Sequence, residues 1–282
     1  MPWQGRSWRV ATRGRAARVL AEGGQRRQTV DMLGELQMNW TWFHRLGSPP
    51  YIYSLAARLT PWFAWPAALL ILGGLYGGLV LSPPDYQQGD GFRILYVHAP
   101  SAWMSLMVYT TMAVSAAVGL IWRIKVSHAV AASCAPIGAS FTFCALVTGS
   151  LWGQPMWGTY WEWDPRLTSE LILLFLYLGY MGLRSAMEDV QRADRASAVL
   201  AIVGIVNVPI IHYSVTWWNS LHQAPSVMKF DRPTIATSML VPLLMMLLGF
   251  TLFFVTVLLI RLRGEILSRE RTASWIREAV TP

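Results

Sequence analysis

The sequence predicts an all-α integral membrane protein with six transmembrane helices. Of its 282 residues, 54% are hydrophobic and only 13% are charged, whereas about a quarter of the residues of a soluble domain are charged. Five uncharged stretches also exceed the roughly 20 apolar residues that cross a bilayer, and they cover residues 59–84, 94–122, 126–161, 196–228 and 233–260. Lipid is therefore the predicted environment of most of the chain.

The predicted spans follow one another with short connections. They are expected at about residues 62–81, 95–121, 129–151, 168–184, 198–218 and 237–260. The fourth is the weakest, because its uncharged core covers only residues 171–183, which is short for a crossing unless Glu170 lies at the interface. The charged tail after residue 260 is expected to continue as a helix along the inner surface.

The positions of Lys and Arg predict the orientation of the spans. With six spans and both termini in the cytoplasm, every basic residue lies on the cytoplasmic side except Arg93, Arg166, Lys229 and Arg232, as the positive-inside rule requires. The net charge of +8 thus reflects topology. No nucleic-acid partner is expected, because that function needs a basic patch on a soluble face.

The chain is expected to divide into a basic N-terminal extension, residues 1–37, and a six-span membrane domain, residues 38–282. The extension is rich in Arg and lacks the apolar run, roughly 7 to 15 residues long, of a secretory signal. Two explanations stay open: a disordered or surface-bound basic arm, or a translation start at Met38 that leaves the extension unmade.

A tryptophan-rich loop separates spans three and four and is expected on the periplasmic side. It contains the sequence WGQPMWGTYWEWDPRLT over residues 152–168. One explanation is an interfacial aromatic belt. So many rings in a loop broken by Gly and Pro, with Asp164 and Arg166 beside them, also favour a surface for a flat apolar ligand, because rings stack on π systems and Arg pairs with carboxylates. A porphyrin with two propionates has this shape.

Two histidines are predicted to lie near this loop. His98 is at the outer end of span two, and His222 is in the outer loop after span five. Imidazole is the usual haem iron ligand, and two imidazoles can occupy both axial positions. A third histidine, His212, lies inside span five, where an ionisable group is costly. It is either a further ligand or a residue with a purely structural role, a neutral histidine that is hydrogen-bonded to a neighbouring helix near a kink at Pro209.

The two cysteines are predicted to be packing residues. Cys134 and Cys144 lie ten residues apart in one predicted span, a rise of about 15 Å along a helix. That separation is far beyond the Cα distance that a disulfide tolerates.

These segments together resemble a known family. The stretch WGTYWEWDPRLTSE resembles the WWD signature of the haem-handling proteins of cytochrome c maturation. The segments YVHAP, IIHYSVTWWNSLHQ, DYQQGDGFR and SCAPIGASFTF resemble those of one branch, the CcmC family. The similarity extends from about residue 40 to at least residue 260. Tyr160 stands where the signature often has Trp, which keeps a ring at this position.

The resemblance implies a site and a set of partners. Haem b would be held at the periplasmic face of the bacterial inner membrane, with His98 and His222 as axial ligands of the iron. The surrounding signature residues would be Trp157, Gly158, Tyr160, Trp161, Trp163, Asp164 and Arg166. Haem would pass to the chaperone CcmE, in company with the ABC transporter subunits CcmA and CcmB and the small membrane subunit CcmD.

The sequence leaves two points open: the role of Asp164 and the function of the chain in haem handling. Asp164 either shapes the loop and meets a propionate or serves only as the N-terminal cap of span four. The competing function is a transmembrane haem exporter or permease subunit of an ABC-type complex. That function would need polar groups inside several spans, and the sequence offers almost none beyond His212, Asn207 and groups at helix ends.

Overall fold

The computed structural model of the protein describes residue 45 and residues 47–218, 220–222 and 235–280. The predicted extension, residues 1–37, lies outside the described residues, and so does most of the loop over residues 219–234. The chain divides into two units, Met1–Ser48 and Pro49–Pro282. All contacts described below are within the second unit.

The second unit contains six helical segments that are long and apolar enough to cross a membrane, which confirms the predicted fold class. They are Pro49–Leu81, Asp90–Trp122, Lys125–Trp157, Pro165–Ser185, Val190–Trp217 and Thr237–Arg269. The individual α-helices are α1 (Pro49–Tyr76), α2 (Leu95–Trp122), α3 (Lys125–Trp157), α4 (Pro165–Ser185), α5 (Val190–Gly204), α6 (Asn207–Trp217), α7 (Thr237–Arg269) and α8 (Ser274–Val280). The charged tail continues span six as a helix, as expected, because α7 extends to Arg269; the short α8 follows after a break.

Helix α4 is long enough to cross a bilayer, although its uncharged core is short. It begins at Pro165 directly after the capping residue Asp164, an arrangement that proline and aspartate both favour. Glu170 is 8% exposed and lies between helices. The bundle therefore accommodates this carboxyl group in its interior.

The fifth span is interrupted between α5 and α6, at Ile205 and Val206. Pro209 has no N–H to donate to the carbonyl group four residues earlier, on Ile205. The N–H of Val208 donates instead to Ile205 O at 3.0 Å. The helix is thus interrupted just before Pro209, where the sequence predicts a kink.

The main core lies where α2, α3 and α4 pack together. Cys134 is buried there, and Cys144 accepts a hydrogen bond from Ser101 Oγ at 3.4 Å. Both thiols are free, as predicted. Tyr177 is fully buried and donates to Ser105 O at 2.8 Å. Its ring lies against Gly138, where a Cβ atom would be 2.0 Å from Tyr177 Cζ.

Replacing Gly138 by alanine is expected to destabilise the protein by about 1 to 3 kcal/mol, the usual cost of overpacking a core. The matched control is Gly182→Ala, because a Cβ atom at Gly182 would meet nothing within 4 Å. Alanine there is expected to leave stability unchanged or to raise it by up to about 1 kcal/mol through helix propensity. Thermal unfolding in detergent measures both. Equal midpoints for the two variants would contradict the packing described at Gly138.

Candidate functional site

His98 and His222 line the same narrow cleft, near the tryptophan-rich loop. His98 lies in the first turn of α2, and His222 follows the end of α6. Arg166 and Glu170, one helical turn apart on α4, line the cleft with them. The cleft encloses only about 40 Å³, which is space for about one water molecule. Two residues distant in sequence are thus brought to one place.

His98 is held by the backbone and a hydroxyl group of α3. Its Nδ1 lies 3.1 Å from Ala145 O and 3.1 Å from Thr148 Oγ1. Because a carbonyl oxygen only accepts, Nδ1 carries the proton, and the lone pair of the imidazole is on Nε2. Gly149 leaves room for the ring, since a Cβ atom there would be 3.0 Å from His98 Cε1. The rings of His98 and Trp152 also meet edge to face at a centroid distance of 5.6 Å.

His222 is oriented by a carboxylate. Its Nδ1 lies 3.1 Å from Asp164 Oδ2, which assigns the proton to Nδ1 and leaves the lone pair on Nε2. The ring of Trp157 meets it at a centroid distance of 4.9 Å. Burial lowers the pKa of His222 below its ordinary value, although Asp164 opposes this shift and Arg166 adds to it. Low pKa favours the neutral imidazole, which is the form that binds a metal.

Asp164 joins two elements of the site. Its Oδ1 accepts the N–H of Leu167 at 2.7 Å, which caps α4, and its Oδ2 accepts from Ser220 Oγ and pairs with His222. Burial raises the pKa of this carboxyl group, but hydrogen bonds from Ser220, Leu167 and His222 outweigh burial, and the pKa is lowered. The predicted cap is present, but Asp164 does not serve only as a cap, because it also bonds Ser220 and His222. Both oxygen atoms are already engaged by protein groups, so loop shaping is the other role that the contacts support.

Replacing Asp164 by alanine is expected to lower the free energy of unfolding by about 1 kcal/mol, as the loss of an N-cap usually does. Asp164→Asn is the matched variant, because its amide oxygen can still cap α4. Its free energy of unfolding is expected to fall by less than that of the alanine variant. The pKa of the Asp164 carboxyl group is lower in the folded state than in the unfolded state. Its contribution to stability is therefore fully present above about pH 4 and declines as the pH falls through the folded-state pKa. Thermal unfolding between pH 3 and pH 7 measures this; an alanine variant as stable as the parent at neutral pH would contradict it.

The aromatic residues of the loop divide into two groups. Trp157 ends α3 and packs on His222, while Trp161 meets Trp163 edge to face at 5.4 Å. Tyr160 is 62% exposed and Trp163 is 73% exposed. The indole N–H of Trp161 is buried without a hydrogen-bond partner in the described residues. The loop therefore presents an exposed aromatic surface beside the cleft.

Gly158 has a backbone role. Its φ of +78° lies in the left-handed region that glycine adopts readily, and its N–H donates to Gln154 O at 3.0 Å. This terminates α3 and turns the chain into the aromatic loop.

The sequence did not indicate two features of the site. Glu170 lines the cleft, and its Oε1 is buried with no hydrogen-bond partner among the described residues. Thr148 and Gly149 support His98 from α3. The one available signal for Glu170 was its charge inside a predicted span, an expensive placement that often marks a functional residue.

His212 does not belong to this site. It is exposed on α6, and its ring meets Tyr213 edge to face at a centroid distance of 4.7 Å. It is absent from the described lining of the cleft. The structure therefore gives no support to a third ligand at this position. It also gives no support to the hydrogen bond with a neighbouring helix that was predicted as the structural role of His212.

The sequence is similar to known proteins over most of its length. Residues 42–277 match the family model of CcmC, "Heme exporter protein C". The chain is 47% identical over 238 residues to the "Heme exporter protein C" of Haemophilus influenzae, covering 84% of this chain and 97% of that protein. It is 46% identical over 241 residues to the protein of the same name in Escherichia coli K12, covering 86% and 97%. The Bradyrhizobium diazoefficiens protein is 50% identical over 224 residues, covering 79% and 85%.

The matched residues include every element that builds the cleft, from His98 to His222. The family match extends from the first span to the last. The chain belongs to the CcmC family.

Proposed function

We propose that this chain binds haem during cytochrome c maturation and delivers it to the haem chaperone CcmE. The names of the relatives support the haem-handling part, since several are called "Heme exporter protein C". A Marchantia polymorpha relative, 42% identical over 200 residues, is called a putative "cytochrome c biosynthesis ccmC-like mitochondrial protein", which supports the maturation part.

The observation that carries the proposal is the convergence of His98 and His222 on one cleft. Each imidazole has its Nδ1 occupied, by Ala145 and Thr148 in one case and by Asp164 in the other. Each therefore has Nε2 available as a ligand. Two neutral imidazoles on one cleft are a suitable donor set for the two axial positions of haem iron.

The cleft must widen to receive the ligand. Its volume of about 40 Å³ is far below that of a pocket for a drug-sized molecule, which is usually several hundred Å³. Haem binding then separates the side formed by His222 and Trp157 from the side formed by His98. The cost of this opening makes the complex easier to dissociate, which suits a protein that passes haem on.

The residues around the cleft have distinct roles in this proposal. Trp157, Trp161, Trp163 and Tyr160 supply ring surface for the tetrapyrrole, and Arg166 supplies a cation for a propionate. Tyr160 and Trp163 are exposed, so CcmE can approach from their side. CcmA, CcmB and CcmD are the proposed companions in the membrane, and haem b is the proposed ligand.

We further propose that both termini are cytoplasmic and that the cleft faces the periplasm across the bacterial inner membrane. The charge distribution supports this orientation, since the basic residues cluster away from the tryptophan-rich loop. Reporter fusions test it: a fusion at Thr159 is expected to report the periplasm and a fusion at Asp189 the cytoplasm. The same side for both would refute the orientation.

The absorption spectrum of the haem-loaded protein tests the proposed site. Purified protein in detergent, titrated with ferric haem, is expected to give a six-coordinate low-spin spectrum with a sharp Soret band, because two imidazoles ligate the iron. His212→Ala is the matched control, since it removes an exposed histidine, and it is expected to give the same spectrum. A five-coordinate spectrum of the parent protein would exclude the pair of ligands.

The word exporter in the names of the relatives favours a second candidate, a permease subunit that moves haem through the bilayer. Proteoliposomes that contain this chain alone, loaded with haem inside and given a haem-binding protein outside, separate the two. Transfer of haem above the rate of empty vesicles would favour the permease.

A further inference from the structure

A second and larger cavity lies at the opposite end of the bundle from the tryptophan-rich loop. It is formed where α2 ends, α3 and α5 begin and α7 ends, and it encloses about 710 Å³. This volume is within the usual range of ligand pockets. No part of the haem proposal involves this cavity.

The cavity carries an excess of positive charge. Four cationic side chains, of Arg123, Lys125, Arg195 and Arg269, line it with two carboxylates, of Asp194 and Glu270. Each carboxylate is already engaged by a protein donor.

Asp194 is bound by Arg269 at 2.7 Å and 2.9 Å and also by Arg184. Glu270 accepts from Trp275 Nε1 at 2.9 Å. Within the described residues, Arg123, Lys125 and Arg195 have no ion-pair partner. Three cations are thus available to an anion that enters the cavity.

The same cavity has an apolar wall. Leu120, Val126, Ala129 and Ile266 line it beside the cations. Between the lining residues Leu120 and Arg123, the end of α2 exposes two further apolar side chains, Ile121 and Trp122, by 65% and 61%. Cationic groups beside an apolar wall at a helix end favour an amphiphile with an anionic head over a small inorganic ion, because both parts of an amphiphile find a partner.

We propose that this cavity binds the phosphate headgroup of an anionic phospholipid, with the acyl chains lying against α2 and α7. The shared chemistry is a phosphate-ester anion held by Arg123, Lys125 and Arg195. The apolar wall assigns the source of that phosphate to a lipid. Bound lipid would connect the first turns of α3 and α5 to the end of α7.

Native mass spectrometry of the purified chain in neutral detergent tests the proposal. The protein is mixed with phosphatidylglycerol, with cardiolipin or with zwitterionic phosphatidylcholine. We expect bound anionic lipid in preference to phosphatidylcholine, and we expect the binding to persist in millimolar inorganic phosphate. Displacement by inorganic phosphate, or equal binding of phosphatidylcholine, would overturn the assignment.

A pair of charge-matched variants localises the site. Lys125→Gln with Arg195→Gln removes two cavity cations and is expected to weaken binding of anionic lipid roughly thirtyfold. Arg192→Gln with Arg261→Gln removes two exposed cations that do not line the cavity, and it is expected to bind as the parent does.

Lys125→Arg keeps the charge and is expected to retain binding. Equal losses for the two pairs would show diffuse surface attraction and overturn the cavity as the site. Undiminished lipid binding by the Lys125→Gln, Arg195→Gln variant would also overturn the cavity as the site. Binding of an acidic peptide in place of lipid would overturn the assignment to a lipid.

Discussion

Replacement of both His98 and His222 by alanine is expected to abolish haem retention by the purified protein. The two side chains are the only imidazoles among the described residues that line the cleft. Their removal would leave the aromatic rings and Arg166 to hold the tetrapyrrole without any bond to iron. We therefore expect no Soret band above that of free haem in the double variant.

Each single substitution is expected to lower haem affinity by roughly 10- to 100-fold or more, since loss of a group that merely orients a metal ligand already costs that much. The remaining histidine would leave the iron five-coordinate. Added imidazole should fill the vacant axial position and restore the six-coordinate spectrum of either single variant. His212→Ala controls for the loss of a histidine outside the cleft. Full haem retention in the double variant would remove both residues from the site.

The largest expected effect on stability comes from Asp194. This carboxylate is 7% exposed and binds Arg184 and Arg269 together. Glu265 joins them, accepting from Arg269 Nε at 2.8 Å and from Arg184 Nη2 at 3.1 Å. The network links the end of α4, the start of α5 and the end of α7. Breaking such a pair by removing one partner leaves uncompensated buried charge.

Asp194→Ala is accordingly expected to destabilise the protein by about 3 to 5 kcal/mol. Glu188→Ala is the matched control, because Glu188 is an exposed carboxylate in the connection between α4 and α5, and such a surface change is usually within about 0.5 kcal/mol of neutral. Thermal unfolding in detergent measures both variants. Combining Asp194→Leu with Arg269→Met should cost less than the sum of the single changes, because the two residues interact directly. Strict additivity would contradict that coupling.

Much of the fold could be predicted from the sequence. Five of the six spans were predicted from uncharged length, the fourth from the distribution of Lys and Arg, and Pro209 predicted a kink where the fifth span is interrupted. The cap of α4 was one of two predicted roles for Asp164. These features depend on the composition of a few consecutive residues, so local patterns are sufficient to find them.

The candidate site could be predicted only in part. The signature residues and both histidines were identified as candidates, but their contacts were not. The pairing of His222 with Asp164 joins residues 58 apart in sequence, and the support of His98 by Thr148 joins residues 50 apart. The exposure of His212 was also missed, because the hydrophobic pattern of a span does not tell which of its faces meets lipid.

The sequence by itself determined which segments leave water, where helices begin and break, and which side chains have suitable chemistry. Only the tertiary structure decided that His98 and His222 meet on one cleft, that Glu170 is buried beside them, and that three cations surround a cavity at the far end. The physical reason is that the two kinds of feature depend on interactions over different separations in sequence. Transfer to lipid and helix capping depend on neighbouring residues, whereas convergence of side chains depends on how packed helices are rotated against one another.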